Sequence, residues 1–327
     1  MGLSVQRQEL ESCRGEWEDL LSRTPEPHVF YRPLWQELWL RHFGDGRESL
    51  FLTVRDGQRL VGVAPLMREG SRLSFVGDYE ICDYMDFVME PGREKEVIPA
   101  LLRSLAEEPW EEIELRGLAA YSPTLAALPG AAESLSWRVE KELEAVAPHV
   151  DLPPSWDEYL GSLGKKDRHE LRRKLRRLRQ GGARVQLRDL RSREDVAAGM
   201  DDFLRFHTTS RSDKAEFMSP QMEGFFRDMA SALAQERLIR LFVMEMDGRP
   251  VASVLSFDCC RQLHLYNSGF DPDLSSISVG LLSKVLCLEA AIEEGKGCLD
   301  FLRGSEPYKY DLGGRDLPIY RCVLRRN

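Results

Sequence analysis

Alternating apolar and polar positions predict two β-hairpins that resemble each other. The first consists of residues 51–57 and 60–63, and the second consists of residues 242–248 and 251–254. Both contain an Asp-Gly pair where the chain must reverse, and such pairs favour the tight turn of a hairpin. The spacing between corresponding strands is the same throughout, which indicates an internal repeat.

The similarity continues downstream in the same order. Residues 72–77 correspond to residues 262–267, and the end of residues 113–117 corresponds to the Leu-Arg-Gly of residues 302–304. Each half therefore predicts helices, a hairpin, a further strand, a helix and a last strand. This order is typical of an α/β (α+β) fold in which each half forms a mixed sheet flanked by helices.

A Pro-rich stretch at residues 148–154 separates the two halves and predicts a domain boundary. We expect an N-terminal domain over residues 1–147 and a C-terminal domain over residues 148–327. The second domain opens with a predicted basic helix at residues 155–180.

Leucines spaced three and four residues apart give this helix one apolar face. The helix is expected to begin at a capping box formed by Ser155 and Glu158, to be interrupted near Gly164, and to end at Gly181. The apolar face consists of Leu171, Leu175 and Leu178.

The rest of the helix surface is strongly basic, although the whole chain carries a net charge of −9. From Lys165 to Arg179, nine Lys and Arg residues face only two acids. The overall charge argues against general nucleic-acid binding. Two interpretations of the basic helix remain open: its cations form a solvated face, or they attract phosphates.

Composition indicates a soluble protein with room for two cores, because 43% of the 327 residues are hydrophobic and 30% are charged. The seven cysteines contain no C-x-x-C pair, so we expect neither a disulfide framework nor a metal site. The sequence also lacks an apolar signal region and any stretch of about 18 apolar residues. We therefore expect a cytoplasmic protein without a membrane span.

Candidate chemistry is concentrated in residues 299–309, where a strand is expected to end at a polar loop. Ligands bind outside the carboxyl ends of strands in open α/β sheets, and Gly304 permits a sharp turn at that edge. The functional groups of this run belong to Asp300, Arg303, Glu306, Tyr308 and Lys309. The alternative is an ordinary polar exit from a strand.

A second candidate site follows the predicted strand at residues 262–267. A loop over residues 269–276 leads to a helix that begins at Ser278, and a helix N-terminus favours anions. Gly280 would let a phosphate approach the first turn closely. Simple capping of the helix is the competing interpretation.

Several segments carry a resemblance to a known family. They are residues 83–86, the helix at 156–179, Phe206 and His207 with Arg211, Lys214 and Phe217, and residues 266–272, 278–280 and 300–309. In order and spacing they resemble the GNAT-like acyltransferases of the cellulose-biosynthesis-associated (CelD-like) type, which are relatives of the Fem-type peptidoglycan aminoacyltransferases. The resemblance covers most of the chain. It implies two tandem GNAT-like domains with a cleft between them, and transfer of an acyl group from an activated carrier to an amine or hydroxyl.

The resemblance implies acyl-CoA, for example acetyl-CoA, as the donor. The strands ending near Asn267 and Arg303 and the helix at Ser278 would hold it. The cofactor-binding residues implied in this way are Asn267, Ser268, Gly269, Ser278, Val279, Gly280, Arg303 and Gly304. The chain departs from the GNAT pattern because it lacks the glycine repeat that binds pyrophosphate. It departs from the Fem pattern, in which the donor is an aminoacyl-tRNA, because it lacks a long inserted helical hairpin.

Glu306, Lys309 and Tyr308 are the expected catalytic residues. Glu306 is the candidate base, with a pKa raised by burial, and a local salt bridge with Arg303 or Lys309 is the alternative. Lys309 matches a lysine that Fem-type enzymes place near the acyl carbonyl or a phosphate. Tyr308 would donate a proton to the leaving group, and Tyr266 is a second candidate for this role.

Substrate-binding residues are expected in both halves of the chain. They are Asp83, Tyr84, Asp86, Arg211, Lys214, Tyr266 and Asp300. The first three would contact the acceptor, although capping of an exposed loop explains them equally well. Arg211 and Lys214 would bind a carboxylate or phosphate, and Asp300 would orient its neighbours. We assign no catalysis to His207.

These features predict an acyltransferase that moves an acyl group from acyl-CoA to a small-molecule, glycan or peptide acceptor in cell-envelope or polysaccharide biosynthesis. The first domain is expected to be degenerate, because no acid or lysine directly follows its Arg116-Gly117. One alternative is an aminoacyl-tRNA-dependent transferase that acts on a peptidoglycan precursor and contacts tRNA through the basic helix. The other is a non-catalytic GNAT-like binding module.

Overall fold

A computed structural model describes residues 2–326, which form two compact units. The first unit contains the residues up to 146 together with those from 317 onwards, and the second contains residues 147–316. The C-terminal strand therefore lies in the first unit, whereas the division made from the sequence placed it in the domain 148–327.

The strands are β1 (Ser4–Gln8), β2 (Glu48–Asp56), β3 (Arg59–Glu69), β4 (Arg72–Phe75), β5 (Val88–Met89), β6 (Glu112–Ala119), β7 (Trp137–Asp151), β8 (Val185–Leu190), β9 (Ile239–Met246), β10 (Arg249–Cys259), β11 (Gln262–Phe270), β12 (Cys298–Asp300) and β13 (Arg315–Arg326).

The helices are α1 (Leu10–Ser22), α2 (Pro33–Phe43), α3 (Glu94–Ala106), α4 (Pro123–Glu133), α5 (Trp156–Ser162), α6 (Lys165–Gln180), α7 (Arg193–Ser210), α8 (Ser212–Phe217), α9 (Pro220–Gln235), α10 (Val279–Glu293) and α11 (Pro307–Asp311). Short 3-10 turns occupy Val29–Tyr31 and Pro272–Ile277. Among residues 2–326, none of the helices is both long enough and apolar enough to cross a membrane.

The strands of the first unit lie in the order β1-β2-β3-β4-β6-β13-β7, and β5 pairs with β3. β2 and β3 form the predicted hairpin, with Gly57 in its turn at a φ of +60°. β4 and β6 run parallel, whereas β6 and β13 are antiparallel and pair Ala119 with Ile319. Because β13 shares its backbone hydrogen bonds with β6, the last strand of the chain is part of the first unit.

The strands of the second unit lie in the order β8-β9-β10-β11-β12, followed by the last residues of β7. The β9–β10 hairpin turns at Asp247 and Gly248, which both have a positive φ, as a type I′ turn requires. β11 runs parallel to β12, and β12 is antiparallel to β7. Each unit thus contains a hairpin, a third strand and a parallel partner, and the predicted mixed sheets are confirmed.

The basic helix folds as its leucine spacing predicts. At the start of α5, Ser155 Oγ accepts the N–H of Glu158 at 3.2 Å and donates to its carboxylate at 2.8 Å. The helical pattern breaks at Gly164, and α6 ends before Gly181. The leucine face is buried in the core of the second unit, together with apolar residues of α5, α10 and the sheet. The buried leucines are Leu171, Leu175 and Leu178.

Candidate functional site

The parallel strands β11 and β12 separate after a short shared stretch. Their pairing covers residues 262–264 of β11 and residues 298–300 of β12. β12 ends there, whereas β11 continues alongside β10 to Phe270. Residues 265–270 therefore have no strand partner on the β12 side within the part of the chain that the structure describes. An extended, peptide-like ligand can hydrogen-bond to a strand edge of this kind.

The loop after β12 is held in place by two charged side chains. Asp300 Oδ1 accepts the N–H of Leu302 at 2.7 Å. The Lys309 ammonium donates to the successive carbonyl oxygens of residues 302–304 at 2.9, 2.9 and 3.0 Å. Lys309 is only 2% exposed. It therefore fixes the loop backbone and also brings a buried positive charge to the end of β12.

Glu306 forms an ion pair with Lys309, and its Oε2 lies 2.9 Å from Nζ. Burial acts to raise the pKa of Glu306, but the hydrogen bond and the charge of Lys309 outweigh it, so the net pKa lies below its usual value. The expectation of a pKa raised toward neutrality is therefore wrong, because the adjacent ammonium stabilises the carboxylate. The local salt bridge predicted as the alternative is present.

Lys284, which the sequence analysis did not single out, lies beside Tyr308. Its Nζ donates to the carbonyl of Gly280 at 2.8 Å and lies 5.1 Å from the centre of the Tyr308 ring. Burial, followed by the charge of Lys214, lowers the pKa of Lys284 to about 7. An amine with this pKa can take up and release a proton at physiological pH. The signal in the sequence was a single basic residue in the otherwise apolar helix α10.

Lys214 reaches the open end of β11 from α8. Its ammonium donates to the carbonyl of Ser268. Burial, followed by the charge of Arg211, lowers the pKa of Lys214 to about 8. Arg211 itself forms two hydrogen bonds of 2.9 Å to the carboxylate of Asp213. Lys214 is thus directed toward the strand, whereas the Arg211 guanidinium is engaged by a neighbouring acid.

Four charged groups gather around this opening, and we call them the lysine cluster. The charges of the other three members all act on the pKa of Lys284. With the lysines protonated, the cluster has an excess of positive charge, which favours negative charge developing on a ligand. The lysine cluster consists of Lys214, Lys284, Lys309 and Glu306.

The two tyrosines predicted to donate protons have different surroundings. Tyr308 lies edge-on to Phe301 at 6.1 Å, and burial raises its pKa, so its phenol keeps its proton at neutral pH. Tyr266 lies at a β-bulge, where the register between β10 and β11 shifts. Its ring lies 5.8 Å from Phe226 and 4.6 Å from Phe257. The structure therefore places Tyr308 at the lysine cluster and Tyr266 among aromatic rings.

His207 packs α7 against β11. Its Nε2 lies 3.1 Å from Asn267 Oδ1. Burial, followed by the charge of Lys214, lowers the pKa of His207 to about 4, so the ring is neutral at pH 7. The helix comes close at Gly269, where a Cβ would lie 2.2 Å from the backbone of Phe206. Gly269 therefore permits helix–strand packing, and His207 orients Asn267.

The N-terminus of α10 follows Ser278, which has a left-handed φ of 61°. Ser278 Oγ accepts a hydrogen bond from Lys174 of α6 at 2.8 Å, so a cation lies at this helix end. A Cβ at Gly280 would lie 2.6 Å from the ring of Phe270. Gly280 thus accommodates that ring, and the expectation that its missing side chain leaves room for a phosphate is wrong.

All residues predicted to bind the cofactor lie in the second unit. Phe270 connects residues 267–269 with residues 278–280, and Lys309 binds the backbone of residues 303–304. Val279 is buried in the core. The structure therefore groups these segments around the separation of β11 and β12, with Val279 supporting them from inside.

The cations of α6 lie mostly on the protein surface. Arg173 pairs with Glu170 at 2.7 Å, and Arg179 pairs with Glu289 at 3.2 Å. Five others are exposed and form no ion pair within residues 2–326: Lys165, Lys166, Arg172, Arg176 and Arg177. A positive surface backed by a buried leucine face is compatible with both interpretations made from the sequence.

Asp83, Tyr84 and Asp86 lie in the first unit. Tyr84 is fully buried and stacks on His28 at 4.2 Å between ring centres. Asp86 is also buried, and it accepts a hydrogen bond from the Thr124 hydroxyl. Burial raises the pKa of Asp86 to about 7. Because Tyr84 and Asp86 are buried, the alternative of an exposed, capped loop does not describe them.

The described residues offer no obvious metal site. No group of three or more His, Cys, Asp or Glu side chains within residues 2–326 is arranged to hold a metal ion. All seven cysteines are free, and Cys260 is the exposed one.

Comparison with known proteins identifies a domain family in the second unit and several similar folds. Residues 165–310 match the acetyltransferase (GNAT) domain family. No curated protein matches the chain. The crystal structure of FemX is similar over 97% of this chain and 96% of that chain, with a TM-score of 0.65 and 12% identity. L-PGS from Bacillus licheniformis is similar over 90% and 91%, with a TM-score of 0.55 and 12% identity. A tandem GNAT protein from the clavulanic acid biosynthesis pathway is similar over 98% of both chains, with a TM-score of 0.52 and 12% identity.

The fold is therefore mixed α/β and GNAT-like, as the resemblance implied. At these identities the solved structures establish the fold alone. The family match covers the lysine cluster and supports an acyltransferase. The similarity to the CelD-like type in particular stays a prediction.

Proposed function

We propose that the second unit transfers an acyl group from acyl-CoA to an amine or hydroxyl acceptor at the separation of β11 and β12. The observation that carries this proposal is the lysine cluster beside strand residues that lack a partner on the β12 side. GNAT domains generally use acetyl-CoA, and the family match favours the same class of donor. The acceptor would be a small molecule, a peptide or a glycan with a free amine or hydroxyl.

The donor would be held by backbone groups and by positive charge. The pantetheine arm of CoA contains amides, which can hydrogen-bond to residues 265–270 as an added strand would. Its phosphates would lie near the N-terminus of α10, where Lys174 adds a cation. The loop at residues 303–304, fixed by Lys309, would border the acyl group.

The reaction needs stabilisation of charge and removal of a proton. The acceptor nitrogen attacks the thioester carbonyl, a C–N bond forms, the C–S bond breaks, and the proton lost by nitrogen ends on the departing sulfur. The carbonyl oxygen carries negative charge on the way, and the excess positive charge of the lysine cluster would stabilise it. Tyr308, which keeps its proton, would donate a hydrogen bond to the sulfur, while Lys309 supplies a fixed positive charge.

Lys284 is a better candidate base than Glu306. At a pKa of about 7, a large fraction of Lys284 is neutral at physiological pH and can accept the proton. A positioned base contributes roughly 10²–10⁴ in rate, and it works best when its pKa lies near the operating pH. Glu306 has a lowered pKa, so it is ionised at neutral pH but weakly basic.

Ligand-dependent stability tests the donor. The melting temperature of the purified protein is measured with and without CoA, acetyl-CoA and a longer acyl-CoA at millimolar concentration. A ligand at about 100 times its Kd stabilises the folded state by about 2.7 kcal/mol. An upward shift supports an acyl-CoA donor and justifies acceptor screening by thiol release. No shift with any of the three contradicts this donor.

The pH dependence of kcat/KM distinguishes the two bases. If Lys284 is the base, kcat/KM rises as pH increases through about 7. If Glu306 is the base, the rate is flat across this range. Lys284→Gln is expected to lower kcat by roughly 10²–10⁴. The control Lys95→Gln, at an exposed position of α3, retains full activity.

Aminoacyl-tRNA is a second candidate donor. The observation that favours it is the set of exposed, unpaired cations on α6. Phosphate contacts of this kind make binding steeply dependent on salt. Direct titration of a labelled aminoacyl-tRNA at two salt concentrations separates this donor from acyl-CoA, because only tRNA binding would depend on the α6 cations.

A further inference from the structure

The first unit contains a cavity of about 460 Å³ that the proposed transfer chemistry does not use. Its walls come from residues 24–26, from residues 86–92 around β5, and from residues 121–123 at the start of α4. This volume is within the range of about 300–1,000 Å³ that is typical of small-molecule sites. The cavity is formed by the first unit alone.

A buried carboxylate without a counter-charge lines this cavity. Asp86 is 6% exposed. Its hydrogen-bond donors are the hydroxyls of Thr124 and Ser122 and the N–H of Phe87. None of these donors is charged, and Asp86 has no ion pair within residues 2–326. Because burial of an unpaired carboxylate is costly, a ligand that brings a cation to Asp86 would bind favourably.

Aromatic rings form another part of the wall. Tyr31 and Tyr121 both line the cavity and lie on either side of His28. The His28 ring centre is 5.2 Å from that of Tyr31, and His28 Nε2 is 2.6 Å from the Tyr121 hydroxyl. The faces of tyrosine rings attract cations.

The remaining charged side chains around the cavity are also acidic. They belong to Glu26, Glu90 and Glu94, and within residues 2–326 no lysine, arginine or histidine lines the cavity. Glu90 is neutralised by Arg23 at 3.1 Å and by Arg59. Apolar residues supply most of the other surface, so the cavity combines apolar walls with a negative potential.

We propose that this cavity binds a primary ammonium ion carried on an apolar stem, with the ammonium at Asp86 and the stem against Phe87, Val88 and Met89. The inference goes beyond the proposed acyl transfer and does not rest on it. It assigns a class of ligand to the first unit, and direct binding decides it whether or not transfer occurs.

Binding of three matched probes tests the proposal. Isothermal titration at pH 8 compares 2-phenylethylammonium with the neutral 2-phenylethanol and the anionic phenylacetate. A hydrogen bond to a charged group contributes about 1.5–3 kcal/mol, so the ammonium is expected to bind at least tenfold more tightly than the alcohol. Phenylacetate is expected not to bind. Equal binding of the ammonium and the alcohol, or no binding of the ammonium, overturns the proposal.

Variants and a contact measurement locate the site. Asp86→Asn is expected to weaken ammonium binding at least tenfold and to leave alcohol binding within twofold. The matched control is Asp78→Asn, which lies in the same segment but outside the cavity and caps the N–H groups of Glu80 and Ile81. Unchanged ammonium binding by Asp86→Asn, or an equal loss in the control, overturns the assignment.

If Asp86→Asn fails to fold, the wild-type protein still decides the question. Nuclear Overhauser contacts between the phenyl protons of the bound ammonium and the methyl groups of Val88 and Met89 are expected. Binding without these contacts places the ligand elsewhere and overturns the proposal.

Discussion

Replacing Lys284 by methionine should make the protein more stable and less active at the same time. Lys284 contacts Tyr308 on α11 from the apolar helix α10, and its pKa falls from 10.5 to about 7 because of burial. The folded state therefore disfavours the ammonium form. Methionine keeps an unbranched apolar stem and removes the charge, so the penalty for burying that charge disappears.

The magnitude follows from the size of the pKa change. Each pKa unit corresponds to about 1.4 kcal/mol, so the fall from 10.5 to about 7 sets an upper bound of about 5 kcal/mol. The side chain is partly accessible, and solvent reduces the effect, so we expect a gain on the order of 2 kcal/mol. Between pH 7 and 10.5 the unfolded chain binds more protons at this lysine than the folded chain does, so wild-type stability rises with pH in this window. The gain from Lys284→Met is therefore largest below pH 7 and fades as pH approaches 10.5.

Urea unfolding followed by circular dichroism at pH 6, 8 and 9.5 measures this gain. The difference in the free energy of unfolding between Lys284→Met and wild type should shrink steadily across the three pH values. Lys95→Gln should show a constant difference close to zero. A variant less stable than wild type at pH 6, or a gain that does not change with pH, would refute the reasoning.

Three further changes test other parts of the second unit. Lys309→Met removes hydrogen bonds to the carbonyls of residues 302–304 and should lower the free energy of unfolding by about 3 kcal/mol, whereas Glu306→Gln, at a half-exposed partner, should cost less than about 1 kcal/mol; equal losses in urea titration would contradict the role given to Lys309. Gly280→Ala should cost about 1–3 kcal/mol because its Cβ meets the Phe270 ring, whereas Gly130→Ala in α4 meets nothing and should be neutral or stabilising by up to about 1 kcal/mol; thermal melts that rank the pair in the opposite order would contradict this packing. Gln at four α6 positions should reduce the salt slope of tRNA binding by about one unit for each phosphate that the helix no longer binds, and an unchanged slope in filter binding would favour the solvated-face interpretation. The four substitutions are Arg172→Gln, Arg173→Gln, Arg176→Gln and Arg177→Gln.

Local patterns were sufficient to predict the regular elements. The Asp-Gly pairs marked both hairpins because a type I′ turn needs two residues with positive φ, and Asp247 and Gly248 adopt that conformation. The leucine spacing marked the buried face of α6, and Ser155 marked the start of α5. In each of these cases the determining residues lie within a few positions of one another.

Features that depend on distant residues were missed. The low pKa of Lys284 results from its burial in the folded unit, near Lys214 and Glu306, and the low pKa of Glu306 results from competition between burial and Lys309. Phe270 fills the space at Gly280, which no helix-capping rule predicts. The pairing of β13 with β6 joins segments that are far apart along the chain, so no local pattern assigns β13 to the first unit.

The position of β13 also constrains the order of events during synthesis. The ribosome completes the second unit, a contiguous segment, before the residues of β13 emerge. Until then the strand that lies between β6 and β7 in the first unit is missing, and both strands expose unpaired backbone groups that other chains can bind. The second unit can mature while its predecessor waits, so the unit that is translated first is the last to finish folding.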